Sequence, residues 1–246
     1  MRKLNSLASV GTVRLCAMFG CLLGSAQAHA GLSANLSATS DYIFRGISNS
    51  DRHPALQGGV DYAHANGWYV GSWVSNVDFN DGGEAREEVD GYVGHAGSVG
   101  NLSWNAGWLA YVYPGAQQSL RYDSQKLLAG VQYDLSAAVI GLYFDRVKNV
   151  FGSGPANYLE TSLVVPLRAD VSLDMRLGRQ RYDDNIYLSL PDFAYRSLAL
   201  IWQIVPWETR LAWQNNGVAK ADCFAGKSWC GPALMLQVTR RFELGA

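Results

Sequence analysis

From residue 32 onward, hydrophobic and polar residues alternate along the chain. In "GLSANLSATSDYIFRG", Leu32, Ala34, Leu36, Ala38, Tyr42 and Phe44 fall on one face of an extended strand, and Ser33, Asn35, Ser37, Thr39, Asp41 and Arg45 fall on the other. The same period recurs downstream. Leu102, Trp104, Ala106 and Trp108 oppose Ser103, Asn105 and Gly107; Val171, Leu173, Met175 and Leu177 oppose Ser172, Asp174, Arg176 and Gln180; Trp207, Leu211 and Trp213 oppose Glu208, Arg210 and Gln214. Such segments lie near 32–44, 55–64, 68–78, 87–96, 102–113, 124–133, 138–147, 158–166, 171–181, 194–204, 207–214 and 233–242. Each is about ten residues long, which is what a tilted strand needs to cross a bilayer. Glycine inside most segments and the lack of a 3.6-residue period argue against helices. Two segments read less cleanly: in the third, Trp68, Val70 and Val74 compete with Tyr69, Trp73 and Val77 for the oily face, and "AAVIGLYF" in the seventh is nearly all apolar.

The links alternate as well. Those after even-numbered segments are short, "ANG", "GSVGN", "DLSA", "PLRAD" and "VP", with Asn66-Gly67 a strong tight-turn signal. Those after odd-numbered segments are longer and polar, such as "NDGGEARE" and "KNVFGSGPAN". A soluble β-sandwich or lipocalin-like barrel has no reason to alternate its links and buries its apolar face inward. The pattern therefore predicts an all-β fold, an antiparallel transmembrane β-barrel of about twelve strands with short periplasmic turns and longer extracellular loops.

The N-terminus sets the compartment. Arg2, Lys3 and Arg14 precede the apolar "LCAMFGCLLG" and the small residues of "SAQAHA", the order that signal peptidase reads. The apolar run is half the roughly 20 residues that a membrane anchor needs. Residues 1–30 are thus expected to be a cleaved signal peptide, cut after Ala30 with Ala28 the alternative, and 31–246 a single outer-membrane barrel domain. Cleavage leaves 17 Lys/Arg against 21 Asp/Glu, a formal net charge of −4, which argues against nucleic acid as a partner. Low charge (17%), abundant aromatics (12%) and 26 glycines fit a turn-rich β protein. Cys16 and Cys21 leave with the signal. Cys223 and Cys230, in "CFAGKSWC", most simply form a loop disulfide in an oxidising compartment. The alternative, a two-cysteine metal site, has no histidine or second cysteine pair nearby.

In the last segment, "ALMLQVTRRF", Leu234, Leu236 and Val238 alternate toward Phe242. A closing strand ending in an aromatic resembles the signal by which bacterial outer-membrane proteins engage the barrel assembly machinery. "SDYIFRGIS", "PALQGGVDYAHANGWYVGSWVSNVDF", "EVDGYVGHAG", "YVYPG" and Cys230 twelve residues before Phe242 together resemble the proteobacterial TorF porin family of conserved hypothetical proteins. The likeness covers most of the mature chain and is densest over 40–79. It implies a barrel and a pore, with no substrate and no catalytic residues attached. In that family a Cys is followed by Asp and Arg before the last strand, whereas Gly231 and Pro232 follow Cys230 here.

If the oily faces meet lipid, period 2 places Asp41 and Arg45 on the interior wall near the extracellular end, where water solvates them. On the lipid face at mid-membrane, an arginine would cost about 2–4 kcal/mol. The same period assigns Asp61, Glu88, Asp90, Lys126, Asp145 and Glu160 to the interior, and likewise Asp174, Arg176, Glu208 and Arg210. Such a mixed lining either braces a plugged barrel with salt bridges or presents opposed rows of charge to a solute. The reading is a porin-like channel for passive diffusion of a small polar or charged solute, with outer-membrane lipid around it, no cofactor and no bound metal. One alternative is a barrel hydrolase, which needs a Ser–His pair at the rim. His53 beside Ser48, Ser50 and Asp51 is the nearest approach, and no Gly-x-Ser-x-Gly elbow occurs. The other is a surface adhesion barrel, for which the longest loop, 215–232 with 18 residues, is small.

Overall fold

Strands with one oily and one wet face satisfy every backbone group in a membrane only if the sheet closes and leaves no edge. The computed structural model, which describes residues 30–245, is such a closed sheet. The signal segment expected over 1–30 lies outside the described residues except for Ala30. The elements are β1 (Gly31–Thr39), β2 (Ile43–Phe44), β3 (Ile47–Ser48), β4 (Ala55–Ala63), β5 (Trp68–Asn76), β6 (Glu87–Val99) and β7 (Leu102–Val112). They continue through β8 (Ser124–Asp134), β9 (Val139–Val147), β10 (Ala156–Pro166), β11 (Val171–Tyr182), the single turn α1 (Asn185–Leu188), β12 (Phe193–Ile204), β13 (Trp207–Asn215) and β14 (Ala233–Gly245).

Twelve strands, β1 and β4–β14, pair antiparallel with their sequence neighbours, and β1 closes the ring against β14 through Ala38↔Val238. Residues 64–67, 100–101, 135–138, 167–170 and 205–206 turn the chain at one end; the longer connections 40–54, 77–86, 113–123, 148–155, 183–192 and 216–232 gather at the other. Outward side chains such as Leu36, Leu56, Val70, Leu127, Leu159 and Leu198 are exposed, forming an apolar surface too continuous for water. Near the short turns Tyr62, Trp68, Tyr133 and Trp207 ring this belt, as aromatic residues do at a membrane interface. In β5 the competition resolves in favour of Trp68, Val70 and Val74 outside, with Tyr69, Trp73 and Ser75 inside. Several strand glycines also acquire a reason. A Cβ on Gly71 would stand 2.5 Å from the Tyr92 ring, so the tyrosine lies flat on the neighbouring strand only because nothing projects there.

The first segment departs from expectation. β1 stops at Thr39, and residues 40–54 turn into the barrel mouth instead of extending the wall to Phe44. Tyr42 and Ile43 are accordingly buried inside the barrel and do not face lipid. Ile43 sits on Ala199, Ala212 and Met235, three inward residues of β12, β13 and β14, and Tyr42 meets the edge of Trp73 at 5.5 Å. The alternation continues because the inserted hairpin has an oily face of its own.

Candidate functional site in the barrel interior

The inserted segment is tied by Asp41. Its Oδ1 accepts the Ser48 hydroxyl at 2.6 Å and lies 3.1 Å from that of Ser50; its Oδ2 pairs with Arg52 at 3.4 Å. Asp41 is therefore the staple of the turn, not a water-facing wall residue as the period suggested. Both hydroxyls are engaged there, and the contact of Ser50 with His53 is to the backbone carbonyl, at 2.7 Å. Between β2 and β3, Arg45 (φ 54) and Gly46 (φ 78) form a two-residue turn with both central residues left-handed, the geometry that suits a tight hairpin. The turn places the Arg45 guanidinium deep in the barrel. It pairs with Asp145 of β9, donates to Gln180 of β11 at 3.0 Å, and lies 3.5 Å from the Tyr158 ring centre. Asp61, Gln57, Gln237 and Arg241, the partners offered by the strands next to β1, do not hold it. Arg45 reaches across the barrel, whereas the period had it standing on the wall.

The other side of the segment is held by 216–232. Arg52 donates to the carbonyls of Ser228 at 3.0 Å, Trp229 at 2.9 Å and Cys230 at 2.8 Å, and Asn216 donates to the Gly46 carbonyl at 3.0 Å. Within this loop Cys223 and Cys230 are joined by a disulfide with Cα atoms 5.9 Å apart. Above the segment, Phe79 packs against Tyr113, Tyr122, Phe151 and Trp229 at ring-centre distances of 5.4–6.2 Å. Burial and the adjacent Asp81, which accepts its hydroxyl, hold the Tyr122 phenol above its ordinary pKa. Between this aromatic cap and the hairpin lies a small vestibule of about 110 Å³, partly open to solvent. Tyr42, Phe44, Tyr111, Tyr113, Tyr182 and Phe193 supply much of its wall; Arg45, Glu88 and Gln180 are its polar groups.

All ten remaining charged residues assigned to the interior do point inward, in four groups. At the level of the hairpin, Lys126 lies 3.5 Å from Asp145 and shares it with Arg45. Deeper, Arg176 bridges Glu160 at 2.8 Å and Asp174 at 3.0 Å, and Arg210 takes the second Asp174 oxygen at 3.0 Å; buried ions this close need complete pairing to be tolerated. Near the short-turn end Glu208 pairs with Arg241 at 2.8 Å. The β4–β6 wall differs. Asp61 is held by the Tyr92 hydroxyl, and Glu88 by Tyr42 at 2.9 Å and Tyr113 at 2.7 Å. Both Asp90 oxygens are buried with no hydrogen-bond partner among the described residues. Glu88, Asp90 and Lys126 are 1%, 0% and 2% exposed, so the interior is packed at this level.

A twelve-stranded antiparallel barrel with an apolar exterior and a charged interior defines a porin-like transmembrane β-barrel. The KdgM porin, solved in complex with disordered oligogalacturonate, shares this fold with a TM-score of 0.59 at 8% identity, over 85% of this chain and 99% of its own. The NanC porin matches with a TM-score of 0.55 at 10% identity, over 87% and 100%. At such identities the likeness is one of fold. By sequence, the chain belongs to the family described as "Bacterial protein of unknown function (Gcw_chp)", which matches residues 24–220. No curated protein matches it.

Proposed function

We propose that the protein is an outer-membrane channel through which a small polar or charged solute diffuses passively, with a bore set by the inserted hairpin. The observation that carries this is the inward face itself: twelve strands present charged and hydrogen-bonding side chains to the interior and apolar ones to the outside. A barrel needed only as a scaffold gains nothing from so many buried ions, each expensive to desolvate. The porin descriptions of the structural neighbours and the resemblance to the TorF porin family support the same reading. In this scheme residues 1–30 direct export, β14 with Phe242 engages the barrel assembly machinery, and no covalent step or cofactor is needed. By formal charge the interior is acidic, which suits a cation. Arg45, Lys126, Arg176, Arg210 and Arg241 stand against Asp61, Glu88, Asp90, Asp145, Glu160, Asp174 and Glu208, five positive charges against seven negative.

A second reading, a closed receptor that binds a ligand in the vestibule without passing it, is favoured by the burial of Glu88, Asp90 and Lys126. Single-channel recording in planar bilayers separates the two. The channel reading expects current from wild type, increased by variants that release the hairpin. Silence from both would select the receptor.

A further inference from the structure

The outer surface carries an unbalanced positive patch. Arg146 of β9, Arg179 and Arg181 of β11 and Arg196 of β12 all point away from the interior and are exposed. Pairing registers place them together. Arg146 and Arg181 are the two cross-strand partners of Asn157, so their Cα atoms flank one strand at roughly 10 Å. Arg179 pairs with Ala194 and Leu177 with Arg196, which makes Arg179 and Arg196 diagonal neighbours at about 7–8 Å.

Directly toward the membrane centre, two residues along each strand, stand Phe144, Leu159, Leu177 and Leu198, all exposed. The arginines thus form the first polar rung above the apolar belt, on the side of the long loops. Among the described residues, Asp183 is the acidic side chain that approaches them, 3.8 Å from Arg146, which also donates to Asn157 Oδ1 at 2.9 Å. Like charges on one sheet face repel one another, and the outward rung of β4, β5, β7 and β8 at the same end carries Leu56, Asn76, Val112 and Gln125 instead.

We infer that this patch, on β9–β12, binds the phosphate groups of an anionic lipid in the leaflet on the loop side. The inference rests on the membrane-spanning reading. Guanidinium groups match phosphate oxygens in paired hydrogen bonds, and their stems lie over the apolar belt where acyl chains begin. Guanidinium groups whose Cα atoms are set roughly 7–10 Å from their nearest neighbours along β9–β12 can hold a lipid bearing two phosphates better than one bearing a single phosphate. The cost of an outward arginine falls to about 0–1 kcal/mol near the interface, so the location is permitted. A bound anion would relieve the repulsion among them.

The test is native mass spectrometry of the folded barrel in neutral detergent, titrated with diphosphorylated lipid A, its dephosphorylated form and inorganic phosphate. Wild type is expected to retain the diphosphorylated lipid at least ten-fold better than the Arg179→Gln/Arg181→Gln/Arg196→Gln variant does. The dephosphorylated lipid should bind wild type no better than the variant, and inorganic phosphate at the same concentration should not compete. Arg240→Gln, at the opposite end of the barrel, should leave retention unchanged. Equal retention by the triple variant, or equal binding of the dephosphorylated lipid, would overturn the inference. If the triple variant does not fold, Arg179→Gln alone is used and must lower retention at least three-fold. Failure to insert into vesicles as a heat-modifiable barrel would instead remove the membrane reading.

Discussion

At the scale of single residues, Asp90 and Arg45 have opposite roles, and one substitution at each separates them. Asp90 is wholly buried and neither of its oxygens has a hydrogen-bond partner among the described residues; Glu88 stands two residues before it on β6, and Lys126 lies two strands along the same wall on β8. An unmatched carboxylate there costs folding free energy and offers a moving cation the partner it lacks. Asp90→Asn is expected to leave the thermal transition no lower than wild type and to reduce the cation-to-anion permeability ratio in bilayer recordings. An unchanged ratio would mean that Asp90 carries no charge on the path. Arg45 is the reverse case, a charge whose partners are in place. Arg45→Ala leaves Asp145 to Lys126 alone and removes the bond to Gln180. The expected loss is about 1–3 kcal/mol, from hydrogen bonds to charged groups. Gels run over a temperature series should show the barrel unfolding earlier, and recordings should show larger, more cation-selective current.

At the scale of elements, the inserted hairpin is the part that the sequence concealed. Period 2 located every barrel strand to within a few residues, because lipid on one side and a polar interior on the other impose strict alternation on each strand. It failed at Thr39, where the chain leaves the wall but alternation continues through Tyr42 and Phe44. A hairpin packed between an ion-paired interior and an aromatic loop cluster shows the same pattern as a strand between lipid and water. The missed signal was Arg45-Gly46, read as strand because arginine is an unusual first residue for so tight a turn. Partner identities could not be read at all: period 2 places Asp145 and Arg176 inside but says nothing of which charge each faces across the barrel. The hairpin reading predicts that Gly46→Ala loosens the segment, since Gly46 has φ 78 and a Cβ would stand 2.9 Å from the Asn216 Cβ. The left-handed conformation alone costs an alanine roughly 1–2 kcal/mol, and conductance should rise with the barrel still folded. Replacing Cys223 and Cys230 by serine should act in the same direction, because the carbonyls that hold Arg52 belong to the loop they close. A cross-link over so short a loop stabilises by about 2 kcal/mol. Mass spectrometry of unreduced wild type showing two free thiols would remove this last expectation.

At the scale of the whole molecule, the two ends of the barrel differ. The short turns and the ring of Tyr62, Trp68, Tyr133 and Trp207 occupy one end; the long loops, the inserted hairpin, the vestibule and the outward arginines occupy the other. Short turns fit the side where a chain is threaded in by assembly machinery, since little polar mass then has to cross the bilayer, and loops with buried aromatic cores fit the side reached last. Orientation is therefore predicted by loop length and can be read on intact cells. Cysteines introduced at Ser119 and Ser189, both exposed on the long loops, should react with a membrane-impermeant thiol reagent, while one at the equally exposed Asn66 on a short turn should not until the membrane is permeabilised. Ser153 is a poor reporter for this purpose, because it is buried against Val150. Labelling at Asn66 with silence at Ser119 and Ser189 would invert the barrel. It would then place the vestibule and the hairpin on the periplasmic side, and the arginines beside the inner leaflet, where a lipid with two phosphates on a glucosamine core is not at hand.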